Sequence, residues 1–276
     1  ILESLEPDSL ESKIIKALGL IYILEQFEKL KPTIGEIADM FKISYPVEDI
    51  KKAINNLIEK EYVIYLKRSN EYLRLKQTSG VDIREKINNL VEIQQRSVTV
   101  KATLNAANFD NYIYPYRYND DKEMIRYFSF EFLESSEVTD DIDWDVKSEG
   151  VDADGIIYGI IPKDEEDVSR LKKKIFATSK GVSQIIFIIP KHYIEIKNIV
   201  HEFNAVVKLR DASVDDKILF EEYDVVYEDL REVINKFIST YTHPEEMKAS
   251  YIYRGEVLPI TRKAALTSQL SAICDE

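Results

Sequence analysis

The chain is poor in the residues that most site chemistries require. Cys274 is its only cysteine, so no internal disulfide can form and a reducing cytoplasm is the expected compartment. The only histidines are His192, His201 and His243, and the nine-residue gap between the first two is not the i, i+4 pair that grips zinc on a helix. No apolar run is long enough to cross a bilayer, no signal peptide is visible, and no internal repeat is evident. A Gly-rich phosphate loop is missing too. The nearest string, ATSKGVS around Lys180-Gly181, lacks the first glycine and the Lys-Ser/Thr order. No nucleophile elbow supports Ser-His-Asp catalysis. The sequence begins at Ile1 rather than Met and stops at Glu276 inside an expected helix, so it is expected to be a piece of a longer protein.

What is present is an acidic chain with one mildly basic stretch. The 276 residues, enough for two or three domains, carry a formal charge of −13. That balance argues against the whole chain wrapping nucleic acid. From Lys31 to Lys76, however, nine Lys or Arg face seven Asp or Glu. The same stretch has the order of a winged helix-turn-helix. Thr33 and Glu36 have capping-box spacing, and Ile34, Ile37, Ala38 and Phe41 recur at helical spacing. After the turn Lys42–Tyr45, Pro46 suits the first position of a second helix. Val47, Ile50, Ile54, Leu57 and Ile58 make that helix's buried stripe. Tyr62–Leu66 and Tyr72–Leu75 then read as two strands about a turn at Ser69-Asn70. A long amphipathic helix, Leu5–Leu30, precedes the motif.

Beyond it, helices are expected at Val81–Gln95 and Ser97–Asn108. The Tyr-rich stretch from Phe109 reads as half-buried β structure, with Pro115 breaking any helix. Strands are expected at Arg126–Leu133, Gly155–Pro162 and Ser183–Pro190, and helices at Asp164–Ser179 and His192–Arg210. That alternation implies parallel pairing with right-handed crossovers. Val214–Tyr241 reads as helix, SYIYRGEVLP as a hairpin or loop crossing, and Thr261 as the cap of a final helix. The expected fold is mixed α/β: a winged helix-turn-helix at 1–80, connecting helices at 81–108, a small α/β domain with parallel βαβα elements at 109–213, and a helical segment at 214–276.

Three constellations invite chemistry. The loop holding Asp140, Asp141, Asp143, Asp145, Asp152 and Asp154 could gather Mg²⁺ for phosphodiester cleavage. The Glu-x-Lys strand of a restriction-type nuclease is missing, since Glu131 stands without a lysine, and a solvated loop is the reading we favour. Tyr112, Tyr114, Tyr116 and Tyr118, with Arg117 and Arg126, could stack on bases, although aromatic packing in a β segment accounts for them better. The second motif helix exposes Lys51, Lys52, Asn55, Asn56, Glu59 and Lys60. Asn can pair with adenine and Lys can reach guanine or phosphate. Lys67, Arg68, Arg74 and Lys76 on the wing could reach phosphates or the minor groove. Glu48, Asp49 and Glu59 oppose that charge, so protein docking competes with DNA binding. No catalytic residue, metal site or cofactor is expected.

The order of segments resembles the portion that follows the ATPase core in large prokaryotic P-loop ATPases of the AAA+/STAND type, some of them found in phage-defence or mobile-element loci. The resemblance is carried by the winged motif, the strand at Arg126-Tyr127-Phe128, the strand start at Asp154-Gly155 and the tail from Arg262 through Leu266, Leu270, Ser271 and Ile273 to Glu276. It implies a sensor, effector-coupling or nucleic-acid-engaging arm, with DNA, a protein partner or the ATPase core of the same polypeptide as its counterpart, and no membrane. The alternative is a free-standing DNA-binding regulator with a ligand-sensing α/β domain, and a Mg²⁺-dependent nuclease stands last.

Overall fold

The computed structural model describes residues 5–67, 71–76, 81–94, 97–107 and 111–276, the side chains of 66 and 67 excepted. Its contacts fall into two units, neither continuous in sequence: 1–86 with 206–229, and 87–205 with 230–276.

The first unit opens with helix α1, Leu10–Leu24, where the Ser9 hydroxyl accepts the Ser12 amide. The helix is shorter than Leu5–Leu30 because Glu25 turns left-handed and its N–H closes onto the Ile21 carbonyl. Leu24, at its end, is exposed. Helix α2, Ile34–Phe41, is capped by Thr33, whose hydroxyl accepts the Glu36 amide at 3.2 Å. Helix α3, Val47–Glu59, starts one residue later than expected, with Pro46 at the N-cap and Val47 exposed rather than buried. Strands β1, Val63–Lys67, and β2, Tyr72–Leu75, pair antiparallel with Val63 opposite Leu75. Ile14, Leu18, Ile37, Ile50, Ile54, Leu57, Val63 and Leu73 are fully buried in one core. The expected turn at Ser69-Asn70 lies outside the described residues. Helix α4, Ile83–Gln94, follows.

The second unit is built on a six-stranded mixed sheet. Its strands are β3 (Tyr112–Ile113), β4 (Phe128–Glu134), β5 (Gly155–Ile161), β6 (Ile185–Pro190), β7 (Ala249–Tyr253) and β8 (Glu256–Leu258), side by side in chain order. β4, β5 and β6 are parallel, and every other pair is antiparallel. Period-two alternation sorts the side chains into two cores. Phe128, Phe130, Phe132, Ile157, Ile186, Ile188 and Tyr251 share one core with Leu104 of α5 (Val100–Ala107) and Ile234 and Phe237 of α10 (Lys217–Thr242). That core also takes in Val200 of α9 (Lys197–Asp211) and Leu266 and Leu270 of α11 (Lys263–Asp275). Ile156, Tyr158, Ile160, Ile185, Phe187 and Ile189 share the other with Trp144 of α7 (Trp144–Ser148) and Val168, Leu171 and Ile175 of α8 (Glu165–Thr178). With both faces covered, β5 and β6 are buried along their whole length, which is why they read as unbroken apolar runs.

Several expectations are corrected. The Tyr-rich stretch is strand only at β3. Pro115 does not end a helix there but caps α6, Tyr116–Lys122, so Tyr116 and Tyr118 are helical. Proline tolerates that position because a helix-starting N–H has no intrahelical partner. The acidic loop contains α7, organised by burial of Trp144. The 214–276 segment is not wholly helical, since β7 and β8 form a hairpin that extends the sheet. Arg262, not Thr261, is the N-cap of α11. The expected connector at Ser97–Asn108 is instead a core helix, α5, contributing Val100 and Leu104.

Candidate interaction surfaces

α3 buries Ile50, Ala53, Ile54 and Leu57, the i, i+3, i+4, i+7 stripe of an amphipathic helix. The rest of its surface turns Lys51, Lys52, Asn55, Asn56, Glu59 and Lys60 to solvent. Five expected contact residues, Lys51, Lys52, Asn55, Asn56 and Lys60, therefore share one exposed surface. Glu48, Asp49 and Glu59 are exposed on it as well, so its charges alternate in sign and cancel.

The residues expected on a wing differ. Arg74 is half-buried and ion-paired with Glu221, which belongs to the same unit through the first turns of α10. Lys76 is paired with Glu61, and its ammonium holds the Glu61 carboxyl below the usual carboxylate range. The Lys67 side chain and Arg68 lie outside the described residues. Two of the four expected wing cations are thus already neutralised by partners in their own unit.

The acidic loop is dispersed among structural tasks. Asp143 caps α7, accepting the Asp145 and Val146 amides at 3.0 and 3.2 Å. Asp154 accepts the Tyr127 amide at 3.0 Å and stands 3.6 Å from the Arg126 guanidinium. Asp140 lies 3.5 Å from Lys174. Asp140 also borders a cleft of about 510 Å³ between the end of β4 and α8, with Ser135, Asp167, Arg170 and Lys173. Its cations are partly engaged, because Lys174 also donates to the Val138 carbonyl at 2.9 Å. Among the described residues no three His, Cys, Asp or Glu side chains are grouped to hold a metal ion.

The histidines are scattered in role. His192 is exposed with Nδ1 3.1 Å from Glu165 Oε1, while Glu165 Oε2 accepts the Tyr193 amide at 2.6 Å. Those two bonds, the Tyr193 amide first, hold the Glu165 carboxyl below its usual range. His201 is buried on α9, and His243 sits 3.0 Å from the Thr242 hydroxyl. Burial pushes the Cys274 thiol up, the opposite of what a reactive thiolate needs.

Of two further features, the first escapes sequence reasoning and the second extends a cluster that it singles out. Glu137 accepts Lys101 Nζ at 2.8 Å and Lys147 Nζ at 2.9 Å on one oxygen and the Glu134 amide at 3.1 Å on the other. No motif marks it, because its partners lie 36 and 10 residues away. The second is a tyrosine ladder at β3. Tyr112 packs edge-on to Tyr127 at 5.3 Å, Tyr127 lies 6.3 Å from Tyr114, and Tyr114 lies 6.1 Å from Tyr116. Packing was the favoured reading of these rings, and they do pack on one another. Yet Tyr112 and Tyr116 remain 57% and 61% exposed.

Comparison with known proteins gives no match to a family model, a curated sequence or a solved structure. No helix among the described residues is long and apolar enough to cross a membrane.

Proposed function

We propose that the chain is a non-catalytic binding module, that its first unit is a winged helix-turn-helix with α3 as recognition helix, and that this helix docks on a protein in preference to DNA. The observation that carries this reading is the neutralised charge. Phosphate binding needs several unpaired cations, whereas Glu48, Asp49 and Glu59 offset the lysines of α3, and Arg74 and Lys76 are held by Glu221 and Glu61. A surface of alternating charge and amide groups around exposed Val47 suits a polar protein interface. Service as an arm of a P-loop ATPase rests on the resemblance of segment order. The free-standing DNA-binding regulator is the second reading, favoured by the exposed quartet Lys51, Lys52, Asn55 and Asn56. The nuclease reading ranks last, since Asp143 and Asp154 are occupied in holding backbone amides.

The test is in-cell photo-crosslinking from a benzoylphenylalanine placed at Asn55. The expected adduct is destroyed by protease and untouched by nuclease. In parallel, duplex DNA is titrated between about 50 and about 200 mM salt, a range over which multi-phosphate binders lose orders of magnitude in affinity. Weak binding that is the same for the parent and the Lys51→Glu/Lys52→Glu variant is expected. A steep salt dependence that the double variant abolishes would hand the surface to DNA.

A further inference from the structure

We propose that the tyrosine ladder on the second unit is a docking surface for an arginine-bearing segment of a partner protein. The ladder runs Tyr112, Tyr127, Tyr114, Tyr116 without a gap larger than 6.3 Å between ring centroids. Its two ends are its most exposed rings, 57% for Tyr112 and 61% for Tyr116. Tyr127 and Tyr114 between them are half-buried, so the ladder presents two exposed rings joined by two partly covered ones.

Charge decides what that partner carries. Carboxylates border the ladder at Tyr127, its second ring, and at Tyr116, its last. Asp152 is exposed and close enough to Tyr127 that, after burial, it is the main influence raising that phenol's pKa. Asp120 is exposed one helical turn after Tyr116 on α6, so ring and carboxylate share a face. The nearby guanidinium groups are already used, Arg117 by Asp275 at 2.7 Å and Arg126 by Asp154 at 3.6 Å. A nucleic-acid strand would bring phosphates against the Asp120 and Asp152 carboxylates, with both nearby arginines already paired and Lys122 exposed at the far end of α6. A guanidinium finds a π face beside an anion, the combination that stacks and pairs it at once.

The molecule repeats that arrangement with its own arginines. Arg126 lies over the Tyr118 ring at 5.5 Å while paired with Asp154. Arg254 lies over Tyr253 at 5.0 Å while paired with Glu276 at 2.7 Å. Arg210 lies over Phe220 at 4.8 Å and Tyr227 at 4.5 Å beside Asp224 at 2.7 Å. In each case a ring and a carboxylate hold one guanidinium, and the ladder presents the same pair with the guanidinium still to come.

The probe is a dye-labelled Arg-Gly repeat peptide, followed by anisotropy against the whole chain, with a Lys-Gly repeat and oligo-dT as comparators. The Tyr112→Ala/Tyr116→Ala variant is expected to bind the Arg-Gly peptide about tenfold more weakly, the scale of two exposed cation–π contacts. Tyr112→Phe/Tyr116→Phe is expected to bind like the parent, because the ring face is kept. Unchanged emission from Trp144, the only tryptophan, confirms that both variants fold. Equal affinity of parent and Ala variant would reduce the effect to diffuse attraction by an acidic chain and overturn the proposal, as would the absence of peptide binding. Tighter binding of oligo-dT with the same sensitivity to Tyr→Ala would make the ladder a base-stacking surface instead. Self-association lost in the Ala variant would make it an interface between copies.

Discussion

Glu137 shows how much one carboxylate can hold together. Burial raises its pKa, but the Lys101 and Lys147 ammonium groups and the Glu134 amide outweigh that effect, so it titrates below the usual carboxylate range. The sign of the linkage follows. A carboxyl with a depressed native pKa adds stability above its unfolded pKa, and that contribution fades as pH falls through the native value. Glu137→Gln is therefore expected to lower stability by about 2 kcal/mol at neutral pH. The loss should stay whole in mildly acidic buffer and shrink only as pH falls below the ordinary carboxylate value of 4.5, measured by urea titration of Trp144 emission at a series of pH values. A loss of the same size at every pH would mean that shape, not charge, makes Glu137 matter.

Elements were more legible than side-chain partners. The apolar run Gly155–Pro162 reads as a strand covered on both faces, and the structure buries β5 along Gly155–Ile161. The Thr33 cap and the α3 stripe were legible for the same reason, because periodicity and capping are local signals. The Tyr112–Tyr118 stretch misled because alternation of tyrosines imitates a strand, while Pro115 fixes a helix start instead. Arg74 could not be read at all, since its partner Glu221 lies far along the chain. Within the sheet, Gly155 and Gly159 leave room for the Phe128, Phe130 and Phe132 rings. A methyl group at Gly155 would overlap the Phe128 ring and the Gln184 carbonyl. Gly155→Ala is expected to destabilise by about 3 kcal/mol, read as an earlier urea midpoint. An unchanged midpoint would mean that the strand start relaxes freely. The outer edge of β4 is also closed deliberately. Beyond the two-residue β3, Asn105 Oδ1 accepts the Phe132 amide at 2.7 Å and the Asn111 carbonyl accepts the Phe130 amide at 2.8 Å, leaving fewer free groups for an unwanted strand.

At the scale of the molecule, the first unit takes in residues 206–229 as well as 1–86. A chain cut after Lys86 loses Glu221 and leaves Arg74 half-buried without its anion, a situation that costs about 1–3 kcal/mol. Hydrogen exchange at the Ile64 and Leu73 amides is expected to be faster in the cut chain than in the whole one. Equal protection would show that the early residues suffice. The discontinuity also bears on biosynthesis. A ribosome delivers the three opening helices and their hairpin early, but it must extrude the far end of α9 and the opening turns of α10 before that first unit is complete. During that interval the nascent chain carries an unfinished unit, and slowing translation beyond the hairpin would lengthen its exposure to chaperones and proteases.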